Sequence, residues 1–170
     1  ERELRSAARA PQRTYLVNYL NAMRNGLQPV NRRNPTNGYA AYIDVPQAID
    51  YHLIEVLSGN VDAVVLSAYF NKPRNEKLVF GPHWDFDRAL GSTDGRDANP
   101  RMWTTGQFFN GWFGQLFGDI EAWQQWVDRY QQLRTNQFAN RHTWSLADRL
   151  ANEIRQGERR DFFRWRIARR

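Results

Sequence analysis

The segment from Asn60 to Gly91 constrains the fold most, because it predicts a β-hairpin in a chain whose remaining pattern is helical. β-branched and aromatic residues predict strands at Ala63–Phe70 and Lys77–Phe80, with the polar residues 71–75 as the turn. A lone hairpin is only marginally stable in water, so helices must cover at least one of its faces. The sequence therefore predicts an α+β fold that is predominantly helical.

Three aspartates flank the predicted hairpin. Asp62 is expected to enter the first strand, and Asp85 and Asp87 follow the second. Because a tight hairpin brings its outer ends together, the three carboxylates should meet in space. Clustered carboxylates at strand ends suit a divalent metal ion or a phosphoryl-transfer site. A structural role stays open as well: Asp62 caps a turn, and Asp85 and Asp87 form Asx-turns or pair with Arg88.

Apolar spacing predicts about six helices around this hairpin. Two precede it, at Pro11–Gly26 and at Val45–Leu57 with Asp44 as N-cap, and a loop at residues 28–41 separates them. Four helices are expected after the hairpin, near residues 105–117, 120–138, 145–156 and 159–166. Their aromatic stripes are interpreted as core rather than as ligand-binding surfaces.

Length and composition narrow the possibilities further. A chain of 170 residues is expected to form a single domain, residues 1–170. It has no cysteine, which excludes disulfides and thiol chemistry within these residues. The net charge of +6 comes largely from arginines crowded at both ends, interpreted first as solvated helix faces. Nucleic-acid binding through those ends is a less favoured alternative.

The order Asp62, hairpin, Asp85 is that of a protein kinase, in which a catalytic-loop Asp precedes a β-hairpin and a metal-binding Asp follows it. Kinases place a metal-binding Asn shortly after the catalytic Asp. Here the corresponding residue is Ser67, a shorter neutral oxygen ligand. This departure weakens the metal contact or shifts it to another residue such as Asp87.

Three motifs carry a family resemblance: YIDV at 42–45, EVLSGNVD at 55–62, and GPHWDFDRALG at 81–91. They resemble the CotH kinases, atypical protein kinases named for a bacterial spore-coat protein. The third motif is long and composed of uncommon residues, which makes it the most specific. The resemblance implies a protein-kinase-like C-terminal lobe with one β-hairpin packed among the helices, the N-terminal lobe lying outside residues 1–170.

The resemblance also implies roles for five residues. Asp62 is the general base that accepts the proton of a Ser or Thr hydroxyl on a protein substrate. Asp85 holds Mg²⁺ against the phosphates of ATP, and Asp87 is a second metal ligand or fixes the loop. Asn60 and Ser67 belong to the ATP-binding side, where Asn60 orients Asp62 or lines the site.

Two other residues receive a weaker interpretation. His83 has a minor claim to metal binding or proton transfer, whereas Glu55 is expected to pair with an arginine. No glycine-rich loop or strand lysine precedes Asp62 in the 170 residues, so this piece without its N-lobe is expected to have little or no activity.

The resemblance places the protein outside the cell, at the bacterial cell surface or in the spore coat. No transmembrane span is expected, because the longest apolar run is too short to cross a bilayer. The alternative to an ATP- and Mg²⁺-dependent protein kinase is a non-catalytic kinase-like surface or binding module.

Overall fold

The structure, a computed structural model, describes residues 5–92, 95–99, 101 and 108–165. Five helices and one two-stranded antiparallel sheet lie in this part of the chain, which confirms the predominantly helical α+β fold. The chain divides into two compact units, Glu1–Val127 and Asp128–Arg170. A single domain over residues 1–170 stays a prediction.

The first two helices lie where the sequence predicts them. Helix α1 spans Ala10–Gly26, and helix α2 spans Val45–Ser58. Helix α2 begins after Asp44, whose side chain accepts a hydrogen bond from the Gln47 backbone N–H at 3.2 Å. It ends at Gly59, whose left-handed backbone (φ 65°) stops the helix and is readily adopted by glycine.

The loop between α1 and α2 is held in place by the buried carboxylate of Asp119. Arg33 Nη2 lies 2.9 Å from Asp119 Oδ1, and the Tyr39 hydroxyl donates to Asp119 Oδ2 at 3.0 Å. Burial and this hydrogen bond raise the pKa of Tyr39 to about 12. Burial of Asp119 by itself would raise the pKa of that carboxyl, but its hydrogen bonds from Arg33, Glu121 and Tyr39 outweigh burial and lower it.

The β-hairpin is much shorter than predicted. Strand β1 spans Phe70–Asn71 and strand β2 spans Val79–Phe80, with Phe70 opposite Phe80. The prediction of a first strand over Ala63–Phe70 is wrong except at its last residue, and the second begins two residues later than expected.

The reason is a turn that begins at Asp62. The Asp62 carbonyl accepts backbone hydrogen bonds from Val65, Leu66 and Ser67 at 3.1, 2.9 and 3.1 Å. Local hydrogen bonds of this kind satisfy the backbone within the turn and compete with a strand ladder. Asp62 therefore opens a turn, and the expectation that it enters a strand is wrong.

Strand β2 is fastened to the start of α2. The side-chain amide of Gln47 donates to the Phe80 carbonyl at 2.5 Å and accepts from the Phe80 N–H at 2.8 Å. Beside it, Leu78 N–H donates to the Tyr42 carbonyl at 2.8 Å, and Asp44 N–H donates to the Leu78 carbonyl at 3.1 Å. These bonds cover an edge that two short strands leave open.

Three helices follow the hairpin: α3 at Gly111–Leu116, α4 at Ile120–Arg134 and α5 at Asn140–Trp165. Part of the helix predicted for 105–117 lies outside the described residues, and the part within them is shorter than predicted. The two helices predicted near 145–156 and 159–166 are one helix that continues through Gly157. No helix among the described residues is long and apolar enough to cross a membrane.

An imidazole lies at the centre of the core of the first unit. His52 is fully buried, with its ring against Phe113 and Phe117 at centroid distances of 4.8 Å. Trp126 Nε1 donates to His52 Nδ1 at 3.0 Å, so Nε2 carries the hydrogen and donates to the Phe108 carbonyl at 2.7 Å. Burial lowers the pKa of His52 to about 4, which keeps the ring neutral.

Candidate active site

One serine links the predicted general base, Asp62, to the predicted metal ligand, Asp85. The Ser67 hydroxyl donates to Asp85 Oδ2 at 2.9 Å, and the Ser67 backbone N–H donates to the Asp62 carbonyl at 3.1 Å. The residues meet through the turn that begins at Asp62, not through the outer ends of two long strands. The closeness of the Asp62 and Asp85 carboxylates stays a prediction, and the sequence did not predict this turn.

Asp85 lies on strained backbone. Its φ and ψ are both 63°, in the left-handed region that few residues other than glycine adopt and in which aspartate is enriched. A 3-10 turn at Phe86–Arg88 follows it directly, and the Asp85 side chain is exposed. Such conformations persist where the surrounding structure holds them, and they cluster at active sites and ligand-binding loops.

The Asp62 side chain is mostly covered and is held by an arginine. Its exposure is 16%, and its Oδ1 accepts a hydrogen bond from Arg96 Nη1 at 3.0 Å. Arg96 is 47% exposed, so the ion pair lies at the surface rather than in the core. Asp62 thus combines a fixed backbone with a charged partner on one carboxylate oxygen.

The fully buried carboxylate of Glu55 connects the motif that contains Asp62 to the motif that contains Asp85. Glu55 Oε2 accepts a hydrogen bond from Asn60 Nδ2 at 3.0 Å, and His83 Nδ1 lies 2.7 Å from Glu55 Oε1. Asn60 precedes Asp62 by two residues, and His83 precedes Asp85 by two. The expectation that Glu55 pairs with an arginine is wrong, because its partners are an amide and an imidazole.

The same network continues into the aromatic core. The His83 ring stacks on Tyr51 with a centroid distance of 4.7 Å and an interplanar angle of 10°. Burial raises the pKa of Tyr51, and the neighbouring Glu55 carboxylate raises it further. His83 therefore packs between the buried network and the surface, with about a third of its side chain (35%) exposed.

The remaining predicted site residues lie in different surroundings. Asn60 is fully buried, which favours the orienting role over lining the site. Asp87 is 67% exposed and lies 3.6 Å from Arg88 Nε, the structural pairing that the sequence left open. Among the described residues, no three acidic or imidazole groups could hold a metal ion together, so the expected cluster of Asp62, Asp85 and Asp87 does not form.

The oxygen pair at Ser67 and Asp85 nevertheless fits magnesium. Mg²⁺ prefers oxygen ligands, uses one or two carboxylates, and completes its shell with phosphate and water. Two neighbouring oxygens in its octahedral shell, each about 2.1 Å from the ion, lie about 3 Å apart. Ser67 Oγ and Asp85 Oδ2, which are joined by a hydrogen bond of 2.9 Å, are oxygen donors of the kind that such an ion binds.

Comparison with known proteins identifies the family. The family model described as CotH kinase protein matches residues 2–169, nearly the whole chain. The chain therefore belongs to the CotH kinase family. Membership indicates a kinase-like domain that uses ATP, a divalent metal ion and a protein substrate, and the family name points to the spore coat. No curated protein and no solved structure matches the chain.

Two features of the site were not predicted from the sequence. Arg96 lies in a glycine- and aspartate-rich loop that carries no motif, so nothing in the local pattern marked it as the partner of Asp62. The pairing of Glu55 with His83 carried one available signal, because the two residues lie in different family motifs, at 55–62 and at 81–91.

Proposed function

We propose that this chain supplies the catalytic aspartates of a protein kinase that transfers the γ-phosphate of ATP to Ser or Thr hydroxyls of a protein substrate. The observation that carries the proposal is the contact of Ser67 with both Asp62 and Asp85 in a member of the CotH kinase family. Phosphoryl transfer requires positioning and charge neutralisation more than covalent chemistry from the protein.

In this proposal Asp62 is the general base. The acceptor hydroxyl loses its proton to the Asp62 carboxylate while its oxygen forms a bond to the γ-phosphorus. The bond between the γ-phosphorus and the β,γ-bridging oxygen breaks, and ADP leaves with that electron pair. A base within hydrogen-bonding distance of the acceptor contributes roughly 10²–10⁴-fold to such a rate.

Asp85 and Ser67 hold magnesium in this proposal, and Asp87 remains a candidate for a second ligand. Bound Mg²⁺ would neutralise charge on the ATP phosphates. The exposed carboxylate of Asp85 faces solvent, where a nucleotide can approach, and Ser67 supplies the neighbouring oxygen. Asn60, held by Glu55, keeps the turn that carries Asp62 in place.

The N-terminal lobe is the proposed intramolecular partner of this site. In protein kinases it contributes the lysine that contacts the α- and β-phosphates. The two lysines of this chain lie elsewhere: Lys72 packs over the rings of Tyr15 and Tyr19 near the hairpin turn, and Lys77 is exposed just before β2. An exported or spore-coat location belongs to the same proposal.

The experiment is phosphate transfer from labelled ATP by the protein expressed in its natural reading frame, with Mg²⁺ and a dephosphorylated acceptor protein. We expect Asp62→Asn and Asp85→Ala each to lower transfer at least about 100-fold, because base and metal ligand are lost. Asp148→Asn, an exposed aspartate on α5, is the matched control and should retain activity.

The alternative of a non-catalytic binding module predicts a different pattern. Full transfer in both Asp62→Asn and Asp85→Ala would refute the assigned roles. Calorimetry then separates the two classes of protein, because a kinase binds ATP with a heat that depends on Mg²⁺, whereas a scaffold shows no such heat.

A further inference from the structure

The side chain that contacts the Asp62 carboxylate belongs to Arg96, which lies in the loop that follows the motif at residues 81–91. Arg96 Nη1 donates a hydrogen bond to Oδ1 of Asp62 at 3.0 Å, and no hydrogen bond from a described residue reaches Oδ2 of that carboxylate. Charge-assisted hydrogen bonds of this kind are directional, and the arginine stays protonated at every physiological pH. The contact therefore restrains the orientation of the Asp62 carboxylate.

The loop is itself held in place next to Arg96. The Asp97 carboxylate accepts hydrogen bonds from the backbone N–H groups of Gly91 and Ser92 at 2.6 and 2.7 Å, and from the Ser92 hydroxyl at 3.0 Å. These hydrogen bonds, the one from Ser92 N–H first, lower the pKa of Asp97. Asp97 thereby anchors the loop to Gly91, the last residue of the motif that contains Asp85.

Restraint at Asp62 matters because its backbone alone does not orient the side chain. The Asp62 carbonyl is fixed by three N–H donors of the turn, but rotation about the side-chain bonds would still move the carboxylate. A general base works only within hydrogen-bonding distance of the proton that it removes. Because Arg96 is hydrogen-bonded to Oδ1 of Asp62, Oδ2 is the carboxylate oxygen that can accept the proton of the acceptor hydroxyl.

We propose that Arg96 is a positioning residue for phosphoryl transfer: its guanidinium holds Oδ1 of Asp62 so that Oδ2 receives the proton of the acceptor hydroxyl. This inference rests on the proposed function, because it gives Arg96 a role only through Asp62. The reaction is otherwise the one described above, with the proton ending on Oδ2 and ADP as the leaving group.

The test uses the full-length protein and separates kcat from KM. Arg96→Gln should lower kcat about 10- to 100-fold and leave KM for ATP within about twofold, because a misplaced base slows chemistry without weakening nucleotide binding. Arg96→Lys keeps the charge and should recover part of the loss. Arg74→Gln removes an exposed arginine of the hairpin turn and should change neither constant.

A double variant shows whether Arg96 acts through Asp62. Asp62→Asn combined with Arg96→Gln should be no slower than Asp62→Asn alone, because residues that act as a unit are not additive. Unchanged kcat in Arg96→Gln, a rise in KM without a change in kcat, or additive losses in the double variant would each overturn the proposal for Arg96 while Asp62 keeps its role. Full activity of Asp62→Asn would instead overturn the proposed function, and the role of Arg96 with it.

A second measurement needs no turnover and detects the contact itself. In the 170-residue chain, Asp62→Asn should speed amide hydrogen exchange over Gly95–Asn99, because the loop loses its charged partner. Arg74→Gln should leave that exchange unchanged. Equal exchange in the Asp62→Asn variant and the unmodified chain would show that the ion pair does not restrain the loop.

Discussion

At the scale of single residues, the Glu55 carboxylate links the two motifs that carry the aspartates. It is fully buried, and its two oxygens contact Asn60 and His83, one residue from each aspartate motif. Removing the acceptor of a buried donor, here the Asn60 amide, costs more than removing a surface ion pair, because that donor then lacks both water and a protein partner. A single carboxylate therefore stabilises the relative placement of both motifs.

Glu55→Ala should lower the free energy of unfolding by about 2–4 kcal/mol, since it leaves Asn60 and His83 without their acceptor. Glu55→Gln keeps the shape and one acceptor oxygen, so its loss should be about half as large. Urea unfolding measures both. Glu121→Ala, which removes an exposed partner of Arg33 at 3.4 Å, is the control and should cost less than about 1 kcal/mol. Equal losses of stability in Glu55→Ala and Glu121→Ala would contradict this stabilising role of Glu55.

At the scale of elements, two glycines on helices have opposite roles. Gly59 ends α2 in a left-handed conformation, φ 65° and ψ 32°, which directs the chain towards Asn60 and Asp62. Gly157 lies inside α5, where a Cβ would meet no atom within 4 Å. Sequence reasoning treated the region of Gly157 as a helix boundary, yet the neighbouring turns continue the helix, because one glycine lowers helix stability only by roughly 1 kcal/mol.

The same substitution should therefore change stability in opposite directions at these two glycines. Gly59→Ala should lower the melting temperature, since alanine in the left-handed region costs about 1 kcal/mol. Gly157→Ala should increase helix stability by about 0.5–1 kcal/mol, because it restricts the unfolded chain. Thermal unfolding followed by circular dichroism at about 222 nm measures helix content directly. A change of the same sign in both variants would refute this account of the two positions.

At the scale of the whole molecule, a neutral imidazole in the core makes stability depend on pH. The folded-state pKa of His52 is about 4, below its usual value of 6.5. The unfolded state therefore binds a proton more readily than the folded state between these two pH values. The stabilising effect is fully present above pH 6.5 and is lost as pH falls towards 4.

Stability should consequently decrease on acidification by up to about 1.4 kcal/mol per pH unit from this one group. Urea unfolding at a series of pH values between 6.5 and 4.5 measures the slope. His52→Gln does not titrate in this interval and its amide still donates a hydrogen bond, so the variant should be less stable but show a flatter slope. The same slope in both proteins would exclude His52 as the source.

Local pattern determined the first two helices and the family. The N-cap at Asp44 placed the start of α2 correctly, because a cap depends on neighbours within one turn. The order of Asp62, Ser67 and Asp85 along the chain also indicated a kinase-like site, and the match of the family model over residues 2–169 confirmed the family.

Only the tertiary structure decided how that site is held together. Glu55 and His83 are 28 residues apart, and Asp62 and Arg96 are 34 apart. No periodicity along the chain reports such pairs, because each depends on how a loop packs against a segment that is distant in the sequence. The turn at Asp62 shortened the predicted strand for a related reason: three local hydrogen bonds to one carbonyl outweighed a β-rich composition whose preference depends on packing.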